Sequence, residues 1–176
     1  MWKREIERRD VDLILISALI LLLELTLIRW ISTEIRIFAY VNNLVLLACF
    51  LGIGLGCYYA RRPARPVLTL VALLAIMLLV DSQIFRTSPV MLSVFSDSLI
   101  WFAHEPYRLP AQILAGITAT ITLFAAIAAA FVPLGQVLGS LFARYRDTVL
   151  AYSINIVASL IGVWLFAGLS FAYAPP

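Results

Sequence analysis

Residues 11–30 read VDLILISALILLLELTLIRW, and this stretch decides the class of fold. Between Asp12 and Glu24 it carries no charge, and it closes on Arg29 and Trp30. About 20 residues of this kind match what a helix needs to cross a hydrocarbon core of about 30 Å, and a tryptophan suits the interfacial depth at which it stops. The preceding ten residues, MWKREIERRD, are too charged for a secretory signal of ordinary length. No small-residue cleavage site follows the apolar run, which therefore reads as a retained signal anchor.

The rest of the chain repeats this character. Of 176 residues, 63% are apolar and 13% charged, against about 45–50% and 25% in ordinary globular chains. Mean hydropathy is +1.00. A disordered chain is excluded, and a soluble enzyme of this size lacks the interior to hide so much apolar surface. The expected fold is an all-α integral membrane protein: one polytopic domain over residues 1–176, a compact bundle of about five transmembrane helices plus an outer interfacial helix.

The spans follow in order. The turn ISTEIR leads from residues 11–30 into a second span at 37–60, which RRPAR stops. A third covers 66–83. Residues 84–110 are polar, and their middle, about 88–103, has Val90, Val94 and Trp101 near helical spacing but also Asp97. That segment is too short and polar to cross and reads as an interfacial helix. Residues 111–143 then run without a charge. They are too long for one straight span and too short for two, so a single span over 111–132, extending to 143 if it tilts, kinks at Pro133 or leaves the bilayer, is expected. The last span covers 149–173.

Net charge is +3, but the basic residues sit in short runs between apolar stretches, which fits membrane orientation rather than nucleic acid. With the N-terminus inside, the inner side holds Lys3, Arg4, Arg8, Arg9, Arg61, Arg62, Arg65, Arg144 and Arg146. The outer side holds Arg29, Arg36, Arg86 and Arg108. This bias places the N-terminus in the cytoplasm of a bacterial inner (plasma) membrane, with the lipid bilayer as principal partner. The chain closes on SFAYAPP and carries no soluble module, which suggests an N-terminal fragment of a longer protein.

Glu24 is the most informative residue. Twelve positions past Asp12, it lies about 18 Å into the span at 1.5 Å per residue, near the bilayer centre. A carboxylate there costs several kcal/mol, on the order of 3 by insertion scales, unless it is paired, protonated or hydrated. Arg29 lies about 140° away around the helix and shares no face with it; it is free to snorkel outward or to meet Glu34. Folding the first two spans back around Thr33 makes Asn42 and Asn43 depth-matched donors for Glu24. Two readings stand: a proton- or substrate-binding carboxyl, or a neutral, hydrogen-bonded one that fastens two helices.

Gly52, Gly54 and Gly56 in LGIGLGC lack the strand and helix that a phosphate-binding loop requires. Gly52 and Gly56 instead have the small-xxx-small spacing of close helix packing, as do Gly135 with Gly139 and Ala158 with Gly162. These faces also leave room for a homo-oligomer. Asn155 and Gln136 are expected at similar depths as interhelical hydrogen-bonding groups. Cys49 and Cys57 fit neither a disulfide framework nor metal-ligand spacing. His104, with Asp97, is at most a weak acid–base or metal pair. No catalytic residue, metal site or cofactor is expected in this chain, nor any nucleic-acid partner.

Three stretches together resemble a known family: ELTLIRW at 24–30, NLVLLACFLGIGLGCYYARR at 43–62 and AYSINIVASLIGVWLFAGLSFAYAPP at 151–176. They are similar to the N-terminal membrane region of spermidine-synthase-like proteins (polyamine aminopropyltransferase-like). In these, several spans precede a Rossmann-type aminopropyltransferase or methyltransferase-like domain. The resemblance implies a membrane-anchoring role and a downstream Rossmann-type domain. The glycine-rich loop and acidic residues that would bind decarboxylated S-adenosylmethionine and a polyamine have no counterpart here. Topology adds a condition: five spans end outside, so a domain using a cytosolic substrate requires an odd number of further spans. Two alternatives remain. One is a small polyamine, cation or proton-coupled transporter, or half-transporter, built on Glu24. The other is an accessory structural subunit of a membrane complex.

Overall fold

The structure, a computed structural model, describes residues 2–34, 42–81 and 110–172. They form five helices: α1 (Trp2–Glu34), α2 (Asn42–Tyr58), α3 (Val67–Asp81), α4 (Pro110–Phe142) and α5 (Thr148–Ala172). No strand occurs among the described residues. The expected interfacial segment at 88–103, with His104 beyond it, lies outside them.

Three of these helices are long and apolar enough to cross a membrane, over Arg9–Thr33, Ile117–Phe142 and Thr148–Ala172. That is consistent with an integral membrane protein. α2 and α3 have 17 and 15 residues, somewhat under the ~20 of a full crossing. Their expected spans reach into residues that are not described.

α1 has no glycine or proline, and its charged opening consists largely of Lys, Arg and Glu, which are good helix formers. The helix therefore starts at Trp2, well before the first apolar run. α2 ends at Tyr58, and Tyr59, Ala60 and Arg62 close the turn by donating to Leu55, Cys57 and Tyr59 carbonyls. Pro63 follows and disfavours helix at the residue before it. α4 continues unbroken through Pro133 to Phe142. Asp147 caps α5: its Oδ1 accepts from the backbone N–H of Val149 at 3.0 Å and of Leu150 at 3.3 Å.

α4 is the hub, with α2, α3 and α1 packed against it, while α5 lies on α1. Buried positions on α1 are Leu13, Ser17, Ile20, Glu24, Leu27 and Ile31, a repeat of four and three that keeps one stripe facing its neighbours. The α2–α4 seam is close. A Cβ on Gly52 would run into the Ala128 carbonyl oxygen, and one on Gly56 into that of Val132. One on Gly135 would lie 2.5 Å from the Ile53 oxygen, and one on Gly139 2.9 Å from Ala60 Cβ. Backbones this near pack without a side chain between them.

Those contacts also fix direction. Gly52 meets Ala128 and Gly139 meets Ala60, so α2 and α4 run parallel. On α1, Arg9 meets Arg144, Ala18 meets Gly162 and Arg29 meets Ser170, so α1 runs parallel to α5. α1 lies antiparallel to α4, because Asp12 and Leu19 share a cleft with Arg144 and Val137.

Candidate functional site

Glu24 occupies the middle of the buried stripe of α1, 3% exposed. Its Oε1 is buried and has no hydrogen-bond partner. The Cys49 thiol on α2 lies within electrostatic reach of the carboxyl. Ser17, two turns away on the same stripe, satisfies itself by donating to Leu13 O at 2.7 Å. The site is thus one buried carboxyl on α1 beside Cys49 of α2.

Of the residues expected around Glu24, the structure describes the following. Asn43 is exposed at the opening of α2, and Asn42 is described only as that helix's first residue. α1 continues through Thr33 to Glu34, and α2 begins at Asn42. Glu24 therefore meets a later part of α2, around Cys49. Asn155 is half-buried on α5, which packs on α1 rather than on α4, the helix that carries Gln136. Ala158 and Gly162 are buried on α5, and a Cβ on Gly162 would stand 2.6 Å from Ala18 O. Gly54, third member of the glycine run, has nothing within 4 Å of its Cβ position.

Arg29 finds its partner on α5, where Nη1 donates to Ser170 Oγ. At the opposite end of the same helix pair lies a polar clamp that the sequence did not disclose. Tyr145 Oη donates to Asp10 Oδ1 at 2.6 Å. Arg9 Nη1 donates to Arg144 O at 3.3 Å, and its guanidinium stands 5.9 Å from the Tyr145 ring centroid. Burial, then the bond to Asp10 and its negative charge, push the Tyr145 phenol up to about 12, with Asp12 adding to this and Arg9 opposing it. α5 is therefore pinned to α1 at both ends and along its small-residue stripe.

Comparison with known protein families, curated proteins and solved structures finds no match. The family likeness rests on its three motifs alone. Among the described residues no three His, Cys, Asp or Glu side chains group so as to hold a metal ion. Among the described residues two further buried polar atoms lack a partner, Arg9 Nε on α1 and Thr69 Oγ1 on α3. Among the described residues the bundle offers one buried carboxyl, Glu24 on α1, and a charged rim at the end where α1 begins.

Proposed function

We propose that the chain is the membrane-anchoring module of a spermidine-synthase-like protein, crossing the bilayer five times from a cytoplasmic N-terminus and carrying a soluble Rossmann-type transferase domain elsewhere in the protein. One observation carries this reading: the three stretches that resemble the family supply the helix contacts. Residues 24–30 include buried Glu24 and the Arg29–Ser170 bond. The second stretch supplies Gly52 and Gly56 against α4, and the third supplies Ala158, Gly162 and Ser170 along α1. Residues in these roles build a scaffold rather than a reaction centre.

Helix direction supports the five crossings. α1 and α5 run one way, α2 and α4 the other. The Arg-rich turn after α2 and the one after α4 come to the end where α1 starts, because Gly139 abuts Cys57 and Ala60 while Arg144 meets Arg9. Such gathering of arginines at one end is the arrangement of a cytoplasmic face. The test is the intact mass of the protein extracted from its native membrane. A mass well above 19.6 kDa, with peptides of a nucleotide-binding domain, is expected. A mass near that value overturns the anchoring role.

The unpartnered Oε1 of Glu24 favours a second reading, a carrier of protons or small cations in which this carboxyl is the midplane site. Liposome uptake that proceeds at the wild-type rate in a folded Glu24→Gln variant removes it.

A further inference from the structure

Between α1 and α4, at the end where α1 begins, lies an open cleft of about 380 Å³. Its walls are apolar: Leu15, Ile16 and Leu19 from α1, Val137 and Leu141 from α4. Its mouth carries opposite charges, Asp12 on one helix and Arg144 beyond the end of the other; Ser140, whose hydroxyl donates to Val137 O, also lines it. No ion pair joins Asp12 to Arg144. The Arg144 backbone N–H donates to Leu141 O and its carbonyl accepts from Arg9, while its guanidinium has no hydrogen-bond partner among the described residues.

The depth of these groups matches a lipid. Asp12 lies near the start of the apolar segment Arg9–Thr33, and Arg144 just past the end of Ile117–Phe142. Both charges therefore sit at headgroup level. From Asp12 to Leu19 the apolar wall descends about 10 Å at 1.5 Å per residue, most of a leaflet's ~15 Å of hydrocarbon. Leu15 and Leu19 are 61% and 47% exposed, so the wall opens sideways to the surrounding chains.

We infer that this cleft binds one aminophospholipid, with an acyl chain along Leu15, Leu19 and Val137, the phosphate on Arg144 and the primary ammonium on Asp12. The charge pattern selects the headgroup. Phosphatidylglycerol presents a net negative charge to Asp12 and has no ammonium. Phosphatidylcholine carries a quaternary ammonium that cannot donate a hydrogen bond. Phosphatidylethanolamine alone of the three offers both a phosphate and a donating cation. The inference rests on α1 and α4 spanning the bilayer and not on any transferase domain, so the intact-mass result does not bear on it.

The test is native mass spectrometry of the full chain, delipidated in mild detergent and titrated with phosphatidylethanolamine, phosphatidylcholine or phosphatidylglycerol. A single saturable adduct is expected, with phosphatidylethanolamine preferred over phosphatidylglycerol by about tenfold, the scale of one charge-assisted hydrogen bond. Asp12→Asn should erase that preference, and Arg144→Gln should weaken all three lipids. Leu15→Trp, at an exposed position that tolerates bulk, should block the adduct while leaving the melting temperature in detergent unchanged. Equal binding of phosphatidylethanolamine and phosphatidylglycerol, a preference that survives Asp12→Asn, or an adduct undiminished by Leu15→Trp would each overturn the assignment.

Discussion

A carboxyl oxygen that is buried without a partner carries an energetic signature that can be measured. Glu24 Oε1 is in that state, and a buried unsatisfied polar group costs about 1–3 kcal/mol. Glu24→Leu, which keeps the volume and removes the polar atoms, should therefore stabilise the bundle by about that amount in thermal melts. A loss of stability would show that the carboxyl fastens helices after all. If the carrier reading is right, the same variant gains stability and loses uptake together, as functional strain predicts. Tyr145 carries a second residue-scale prediction. Its folded pKa of about 12 lies above the ordinary value of about 10, so its contribution is complete below that ordinary value. It is lost as pH rises through the folded one. Tyrosinate absorbance, with Tyr145→Phe as the blank, should show late ionisation that Asp10→Asn moves back down. The place of Glu24 within the apolar run of α1 was legible in sequence because it follows from counting along a helix. Its neighbours were not, since they depend on where the chain turns. The Tyr145–Asp10 bond joins residues 135 apart, and no local pattern announces it.

At the scale of elements, helix interiors were readable and their ends less so. Apolar runs without charge fix the middle of a helix, whereas ends depend on caps and on how far good helix formers carry the turn outward. The charged opening of the chain thus joins α1, and Pro133 stays inside α4. The glycines of α2 separate packing from mere composition. Gly56 lies against the Val132 carbonyl and the Gly135 Cα, whereas Gly54, on the other face, touches nothing. Adding a methyl group should act with opposite sign at the two positions. Gly54→Ala gains up to about 1 kcal/mol of helix propensity. Gly56→Ala forces two backbones apart and should cost about 1–3 kcal/mol, the usual range for overpacking. Detergent melting curves of the two variants decide it. Equal responses would mean that α2 and α4 are not joined along this seam.

For the whole molecule, the order of helices is less informative than which ends come together. Sequence charge counting places Arg9, Arg61, Arg62, Arg144 and Arg146 on one side without saying how they meet. The structure gathers them through two contacts: Arg9 with the Arg144 carbonyl, and Gly139 with Cys57 and Ala60. Arg29 and Ser170 mark the opposite end. α2 and α3, with 17 and 15 residues, are the elements whose crossing this geometry must justify. If both cross, the turn between them emerges on the same side as the α4–α5 turn. If they instead form a re-entrant hairpin, that turn stays at membrane depth, where non-helical backbone survives only when enclosed by protein. Single cysteines at residues 62, 146 and 29, in a background lacking Cys49 and Cys57, separate these cases with a membrane-impermeant thiol reagent. Arg62→Cys and Arg146→Cys should label from one face and Arg29→Cys from the other. Protection of residue 62 from both faces would reduce the molecule to three crossings, with α2 and α3 packed on α4 as an embedded hairpin. Labelling of residues 62 and 146 from opposite faces would break the parallel pairing of α2 with α4 on which the bundle is built.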